Sequence, residues 1–149
     1  MAYRFEFDDT NRILQCRFEG RVTDEGLTNF YGLAGEFVAS LDPRGGIVDL
    51  SDVISFEVSV QAIRRLAKLP PVMPRTSHPR VIVAVSSQIF GMARQFEFEG
   101  EITRPNLHVV RSSAEAWAIL GIRDPKFEPV SELFDSSNED VGPPQLTGR

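Results

Sequence analysis

The stretch IVDLSDVISFEVSVQAIRRL, residues 47–66, decides the fold, because it predicts a strand, a loop and a helix in that order. Its first four residues form a short apolar run, which is typical of a strand that is buried on both faces. From Ser59 onward the pattern changes to helical spacing, and Ser59 is the predicted N-cap of that helix. The apolar stripe of the helix is Val60, Ile63, Leu66 and Ala67.

The segments on either side extend this alternation of strands and helices. Residues 3–8 and 13–20 alternate with period two around the turn sequence DDTNR, which predicts an N-terminal β-hairpin. The other predicted elements are a helix at 22–41, a strand at 80–85, a helix at 86–100, a strand at 106–110 and a helix at 112–121. This order predicts an α/β fold with a mixed sheet of about five strands, a hairpin and about four helices. The later strands should be parallel and joined by right-handed crossovers.

The chain of 149 residues divides by composition into a domain, residues 1–122, and an acidic, Pro-rich C-terminal tail, residues 123–149. The tail contains six acidic and three basic residues. A short apolar stripe within it should dock either on the domain or on a second chain. The residues of this stripe are Phe127, Val130, Leu133 and Phe134.

Charge and composition exclude several classes of protein. The net charge of −5 argues against general nucleic-acid binding. No apolar run is long enough for a membrane span, and the N-terminus carries no secretory signal pattern. The lone Cys16 excludes an intramolecular disulfide, so we expect a cytoplasmic protein.

One part of the body departs from this acidic character. Residues 58–96 contain no Asp or Glu but hold six cations. These cations either lie on solvated helix faces or form a surface for an anionic ligand or an acidic partner. They are Arg64, Arg65, Lys68, Arg75, Arg80 and Arg94.

The sequence predicts neither an enzyme nor a cofactor. His78 lies in a Pro-flanked loop and His108 in a strand, and neither has metal ligands nearby in the sequence. No metalloprotease motif, Cys pair or Gly-rich phosphate loop occurs. We therefore predict no catalytic residues, no metal site and no bound cofactor.

The candidate binding site lies at the predicted carboxyl ends of two parallel strands, where open sheets commonly bind ligands. Each strand leads to a helix that begins with serine and has no carboxylate in its first turn, which suits an anion. The alternative is that these serines only cap helices. The candidate residues are Asp49, Ser51, Asp52, Phe56, Ser59, Ser86, Ser87 and Phe90.

Four segments resemble the SpoIIAA-like (STAS-like) family, whose members are related to bacterial anti-sigma-factor antagonists. They are the opening FEFD…RILQCRFEG, then GGIVDLSDV, RVIVAVSSQIFGMARQFE and VVRSSAEAWAILG. The resemblance covers roughly residues 3–121 and implies a non-enzymatic regulatory module. In the antagonists, a serine at the helix start after the Asp-Leu-Ser strand is phosphorylated, and Ser59 matches that position. Val58 and Gln61 stand where the family usually has Asp and Gly.

Two functions remain open at this point. The first is an interaction module that binds a partner protein or forms a homodimer through the Ser59 region. The second, suggested by lipid-carrying domains that share the fold, is a pocket for a small amphipathic ligand at the strand carboxyl ends. Phe56 and three residues of the next helix, Ile89, Phe90 and Met92, would help to line that pocket. A cavity of several hundred cubic ångströms would favour the pocket, and a filled core with an exposed Ser59 would favour the interaction module.

Overall fold

A computed structural model describes residues 2–75 and 77–130 of the chain. The order of strands and helices through residue 121 is the one that the sequence predicts. The elements are β1 Ala2–Asp8, β2 Ile13–Thr23, α1 Asp24–Leu41, β3 Gly45–Glu57, α2 Val60–Lys68, β4 Arg80–Val83, α3 Ser87–Glu99, β5 Leu107–Val110, α4 Ser113–Leu120 and β6 Glu128–Pro129.

The strands form one mixed sheet in the order β5-β4-β3-β2-β1-β6. β2, β3, β4 and β5 are parallel, as predicted, and β1 runs antiparallel to β2. The turn between β1 and β2 depends on Asp8, whose Oδ1 accepts hydrogen bonds from the backbone N–H groups of Thr10 and Asn11 at 3.1 and 3.2 Å. The predicted hairpin and the mixed α/β sheet are thus confirmed.

β3 is much longer than the four-residue strand that the sequence predicts, and the predicted loop after it is wrong. Residues 51–57 continue the strand because β2 also continues, to Thr23, which pairs with Glu57. Two irregularities in the register allow this long parallel pair to remain bonded. Only two residues then separate β3 from α2.

A sixth strand, β6, was not predicted, and it pairs antiparallel with β1 at the edge of the sheet. The chain around it packs on its own body rather than requiring a second chain. Val130 is buried in the larger core cluster, and Phe127 packs against the smaller one. The other two residues of the predicted stripe, Leu133 and Phe134, lie outside the described residues.

Helices cover both faces of the sheet. The larger core cluster lies between the sheet and α1, α2 and α3, and it includes a set of contacting aromatic rings. The Phe5 and Phe37 centroids lie 4.5 Å apart, and those of Phe18 and Phe30 lie 5.0 Å apart. α4 packs on the opposite face, where Ala116 is fully buried against β3 and β4. The described helices include none that is both long and apolar enough to cross a bilayer.

Candidate functional site

Ser59 is the N-cap of α2, as predicted, but its hydroxyl has a further partner. The Oγ of Ser59 accepts a hydrogen bond from the backbone N–H of Ala62 at 3.0 Å. The same hydroxyl donates to Oδ2 of Asp24 at 2.8 Å, and the Ser59 backbone N–H donates to Oδ1 of Asp24 at 2.8 Å. A carboxylate from the first turn of α1 therefore contacts the N-cap of α2. Its negative charge repels any other anion at this helix start.

Ser86 and Ser87 begin α3 in different ways. Ser86 is the N-cap, with its Oγ accepting from the backbone N–H of Ile89 at 3.2 Å. Ser87 is the first helical residue and is exposed. These contacts support the capping interpretation for Ser86, and the first turn of α3 contains no acidic residue.

Asp49 and Asp52, the acidic candidates on β3, differ in their burial. Asp49 is buried and accepts hydrogen bonds from the backbone and the hydroxyl of Ser51, at 3.0 and 2.5 Å. The carboxylate of Asp49 also lies 4.0 Å from Nε of Arg17 on β2. Alternation along β3 places Asp49 on the same face as Ile47, which packs in the cluster beneath α4. Asp52 is exposed in the extended part of β3.

The two candidate aromatic residues have different surroundings. Phe56 lines a cavity between the sheet and the helices. Phe90 packs against the core and lies under the guanidinium of Arg111, with Cζ 4.2 Å from the ring centroid. Neither Phe90 nor its predicted companions Ile89 and Met92 line the cavity, so the structure does not bring all the predicted site residues together.

The cavity lies between the sheet and helices α1, α2 and α3, and its volume of about 190 Å³ is smaller than the several hundred cubic ångströms expected of a ligand pocket. Its walls are mainly apolar side chains from all four of these elements. Representative lining residues are Leu14, Phe30, Ala34, Val48, Ile63 and Ala93. A volume of this size exceeds the roughly 150 Å³ that holds a benzene molecule in a protein core.

The polar groups of the cavity lie at the edge of the sheet opposite to the one that the sequence predicts. Arg80 is the first residue of β4, and Arg104 precedes β5, so both lie at the amino ends of parallel strands. Tyr31 of α1 joins them, because its hydroxyl accepts from Nη2 of Arg104 at 2.8 Å. We call Tyr31, Arg80 and Arg104 the arginine end of the cavity.

The arginine end has only a weak signal in the amino-acid sequence. Arg80 belongs to the six cations of the acid-free segment, whereas Tyr31 and Arg104 lie outside it. Two other cations of that segment have partners on α3, since Arg64 pairs with Glu99 at 3.2 Å and Arg94 pairs with Glu97 at 3.4 Å. Two of the six cations therefore lie beside carboxylates of α3.

The groups that could support catalysis have ordinary structural surroundings. Cys16 is buried in the core, and burial raises the pKa of its thiol, which keeps it protonated at neutral pH. The ring of His108 lies 3.1 Å from Oδ1 of Asn106. In the part of the chain that the structure describes, no three His, Cys, Asp or Glu side chains come together as a metal site.

The chain is similar to a solved structure of a Bacillus protein, the cell fate determinant SpoIIAA in its phosphorylated form. The two share 13% sequence identity with a TM-score of 0.52, and the match covers 79% of this chain and 99% of SpoIIAA. No protein-family model and no curated protein sequence matches the chain. The chain therefore has the SpoIIAA-like (STAS-like) fold that the sequence segments suggest.

Proposed function

We propose that this SpoIIAA-like domain is a non-enzymatic module that binds a small amphipathic ligand in the cavity between its sheet and helices α1–α3. The observation that carries the proposal is the combination of an apolar cavity of about 190 Å³ with hydrogen-bonding groups at one end. Binding sites for small molecules commonly combine apolar walls with a few placed polar groups. A regulatory role follows if the bound ligand changes how the helices pack against the sheet. A ligand that fills the cavity contacts its apolar walls and stabilises the folded state by an amount that rises with the logarithm of the ligand concentration.

Native mass spectrometry of the protein from its source cell tests for a bound ligand directly. A complementary experiment uses isothermal titration calorimetry to measure binding of octanol, a small amphipathic molecule, to variants that fill the cavity. Ala34→Leu and Ala93→Leu each add a larger side chain at a lining position, and each should lower the affinity at least tenfold.

Ala116→Leu is the matched control, since Ala116 of α4 is buried against the opposite face of the sheet and does not line the cavity. It should leave the affinity unchanged, provided that thermal unfolding shows all three variants to be folded. Undiminished binding to both cavity-filling variants would contradict the proposal.

A second candidate function is an interaction module that uses the surface around Ser59. The observation in its favour is exposed apolar surface on both sides of this serine, because Ile54 is 89% exposed and Val60 is 42% exposed. Exposed apolar side chains at one edge favour a protein partner, and a second copy of the chain is one such partner.

The Ser59 surface is tested by Ile54→Asp and by mass measurement in solution. If this surface forms a homodimer, the wild type has twice the chain mass and the variant has the mass of one chain. Phe98→Asp is the control, because Phe98 is 70% exposed on α3, away from the β3 extension. An identical monomer mass for all three proteins excludes self-association, and a fluorescence-detected binding screen then addresses other partners.

A further inference from the structure

The hydrogen-bonding groups at the arginine end of the cavity bind to the protein itself, and this restricts the ligands that fit. The inference rests on the proposed function. The Nη1 of Arg104 donates to the carbonyl oxygen of Ala67 at 2.8 Å. Its Nη2 donates to the hydroxyl of Tyr31 at 2.8 Å and to the carbonyl oxygen of Leu69 at 3.1 Å. The Tyr31 hydroxyl in turn donates to the carbonyl oxygen of Pro70.

The guanidinium of Arg80 is also held by its own chain. Its Nη2 donates to the carbonyl oxygens of Met73 and Arg75, and its Nη1 has almost no accessible surface. Neither arginine therefore presents a free Nη donor to the cavity. An ionised ligand would lose its hydration there without gaining hydrogen bonds from these groups, and this costs far more than the burial of a hydroxyl.

The walls of the cavity are rich in aromatic rings and include a thioether. Aromatic rings attract one another in edge-to-face and offset arrangements, beyond the effect of buried area. The sulfur of a methionine likewise makes favourable contacts with the edge of a ring. Such walls favour an aromatic ring over a saturated group of the same size. The residues concerned are Phe5, Phe30, Tyr31, Phe56, Phe96 and Met73.

The volume of the cavity sets the size of the ligand. An apolar cavity of about 150 Å³ holds one benzene molecule in a protein core. The volume of about 190 Å³ leaves roughly 40 Å³ more, which is little more than the roughly 30 Å³ share of one water molecule in the liquid. One six-membered ring with one or two further heavy atoms therefore fills the cavity.

We propose that the ligand of this cavity is a neutral molecule built on a single aromatic ring, which lies against Phe30, Phe56 and Phe96. Its polar part is an uncharged group such as a hydroxyl, because a hydroxyl loses much less free energy than a carboxylate when it leaves water. The cavity thus selects its ligand by the shape and the aromatic character of the ring rather than by a charge.

The test measures binding of three small ligands to the full chain by isothermal titration calorimetry. Benzyl alcohol is the neutral aromatic ligand, cyclohexylmethanol is its saturated counterpart, and benzoate is its anionic counterpart. Benzyl alcohol should bind at least about tenfold more tightly than benzoate, because the carboxylate loses its hydration without a free donor in return.

The ratio of the affinities for benzyl alcohol and cyclohexylmethanol measures the contribution of aromatic contacts. Comparing this ratio between variants cancels the difference in hydrophobicity between the two ligands. Phe56→Leu and Phe96→Leu each remove one ring from the wall, and each should lower the ratio by about two- to tenfold. Phe90→Leu is the matched control, because Phe90 packs against the core without lining the cavity, and it should leave the ratio unchanged.

The outcomes separate this inference from the proposed function. Equal affinities for benzoate and benzyl alcohol would refute the neutral ligand, a comparison that needs only the wild type. An unchanged ratio in the folded lining variants would refute the aromatic ring. In both cases, octanol binding that is lost in Ala34→Leu would leave the proposed function intact. Binding of octanol without binding of benzyl alcohol would refute this inference alone, and binding of neither would refute both.

Discussion

The contact between Asp24 and Ser59 joins the first turn of α1 to the cap of α2, and its removal gives a quantitative prediction. The Asp24 carboxylate accepts two hydrogen bonds from Ser59, each of 2.8 Å. Hydrogen bonds to charged groups contribute about 1.5–3 kcal/mol each when buried, and this pair is only partly buried. We therefore expect Asp24→Ala to lower the free energy of unfolding by about 2 kcal/mol.

Glu25→Ala is the matched control, because Glu25 is the adjacent acid in the same first turn and is exposed. Both variants lose a favourable interaction with the dipole of α1, and only Asp24→Ala loses the contact with Ser59. Glu25→Ala should cost about 0.5 kcal/mol. The difference corresponds to a melting temperature lower by about 3–6 °C in a chain of this length.

Urea denaturation of Asp24→Ala, Ser59→Ala and the double variant measures the coupling. Ser59→Ala removes the cap to Ala62 and the hydroxyl contact, but it keeps the backbone N–H bond to Asp24. The cost of Asp24→Ala should therefore fall by about 1 kcal/mol in the Ser59→Ala background. An equal cost in both backgrounds, or a cost no larger than that of Glu25→Ala, would refute the reasoning.

Three further predictions concern the core, and urea denaturation measures each of them. Phe18→Ala should lower the free energy of unfolding by about 3–5 kcal/mol, because Phe18 is fully buried. Its control, Phe98→Ala, should change the free energy of unfolding by less than about 0.5 kcal/mol. Equal effects of the two substitutions would contradict the assignment of Phe18 to the core. Arg104→Met should lower the free energy of unfolding by about 3 kcal/mol, because the carbonyl oxygens at the end of α2 lose their hydrogen-bond donor. Its control is Arg94→Met, which should lower it by less than about 1 kcal/mol because Arg94 is exposed. Burial raises the pKa of the Cys16 thiol, so above pH about 8.5 the unfolded chain loses a proton that the folded chain keeps. The free energy of unfolding of the wild type should therefore fall, relative to that of Cys16→Ala, by up to about 1.4 kcal/mol per pH unit. A difference between the two proteins that does not change with pH would contradict this prediction.

The sequence by itself determined the element order and the helix starts. Ser59 and Ser86 each cap a helix that the sequence predicts to begin with serine. The parallel arrangement of the later strands was also predictable, since strands that alternate with helices have few other stable topologies. These features depend on periodicity and capping, which act between residues that are close in the chain.

The extent of β3 was decided by its partner strand. Residues 51–57 read as a loop because serine and aspartate interrupt the apolar pattern. Their backbone N–H and C=O groups nevertheless pair with those of β2. This pairing provides the hydrogen bonds of the backbone and does not depend on which side chains the residues have. The length of β3 therefore depends on the paired strand β2, which the sequence pattern of residues 51–57 does not include.

Only the tertiary structure decided where the candidate site lies. The carboxylate absent from the first turn of α2 is supplied by Asp24, which is 35 residues away from Ser59. Arg104 reaches the hydroxyl of Tyr31 across 73 residues and places the polar end of the cavity at the amino edge of the sheet. Hydrogen bonding and burial select such partners after the helices have packed, so no spacing in the sequence records them.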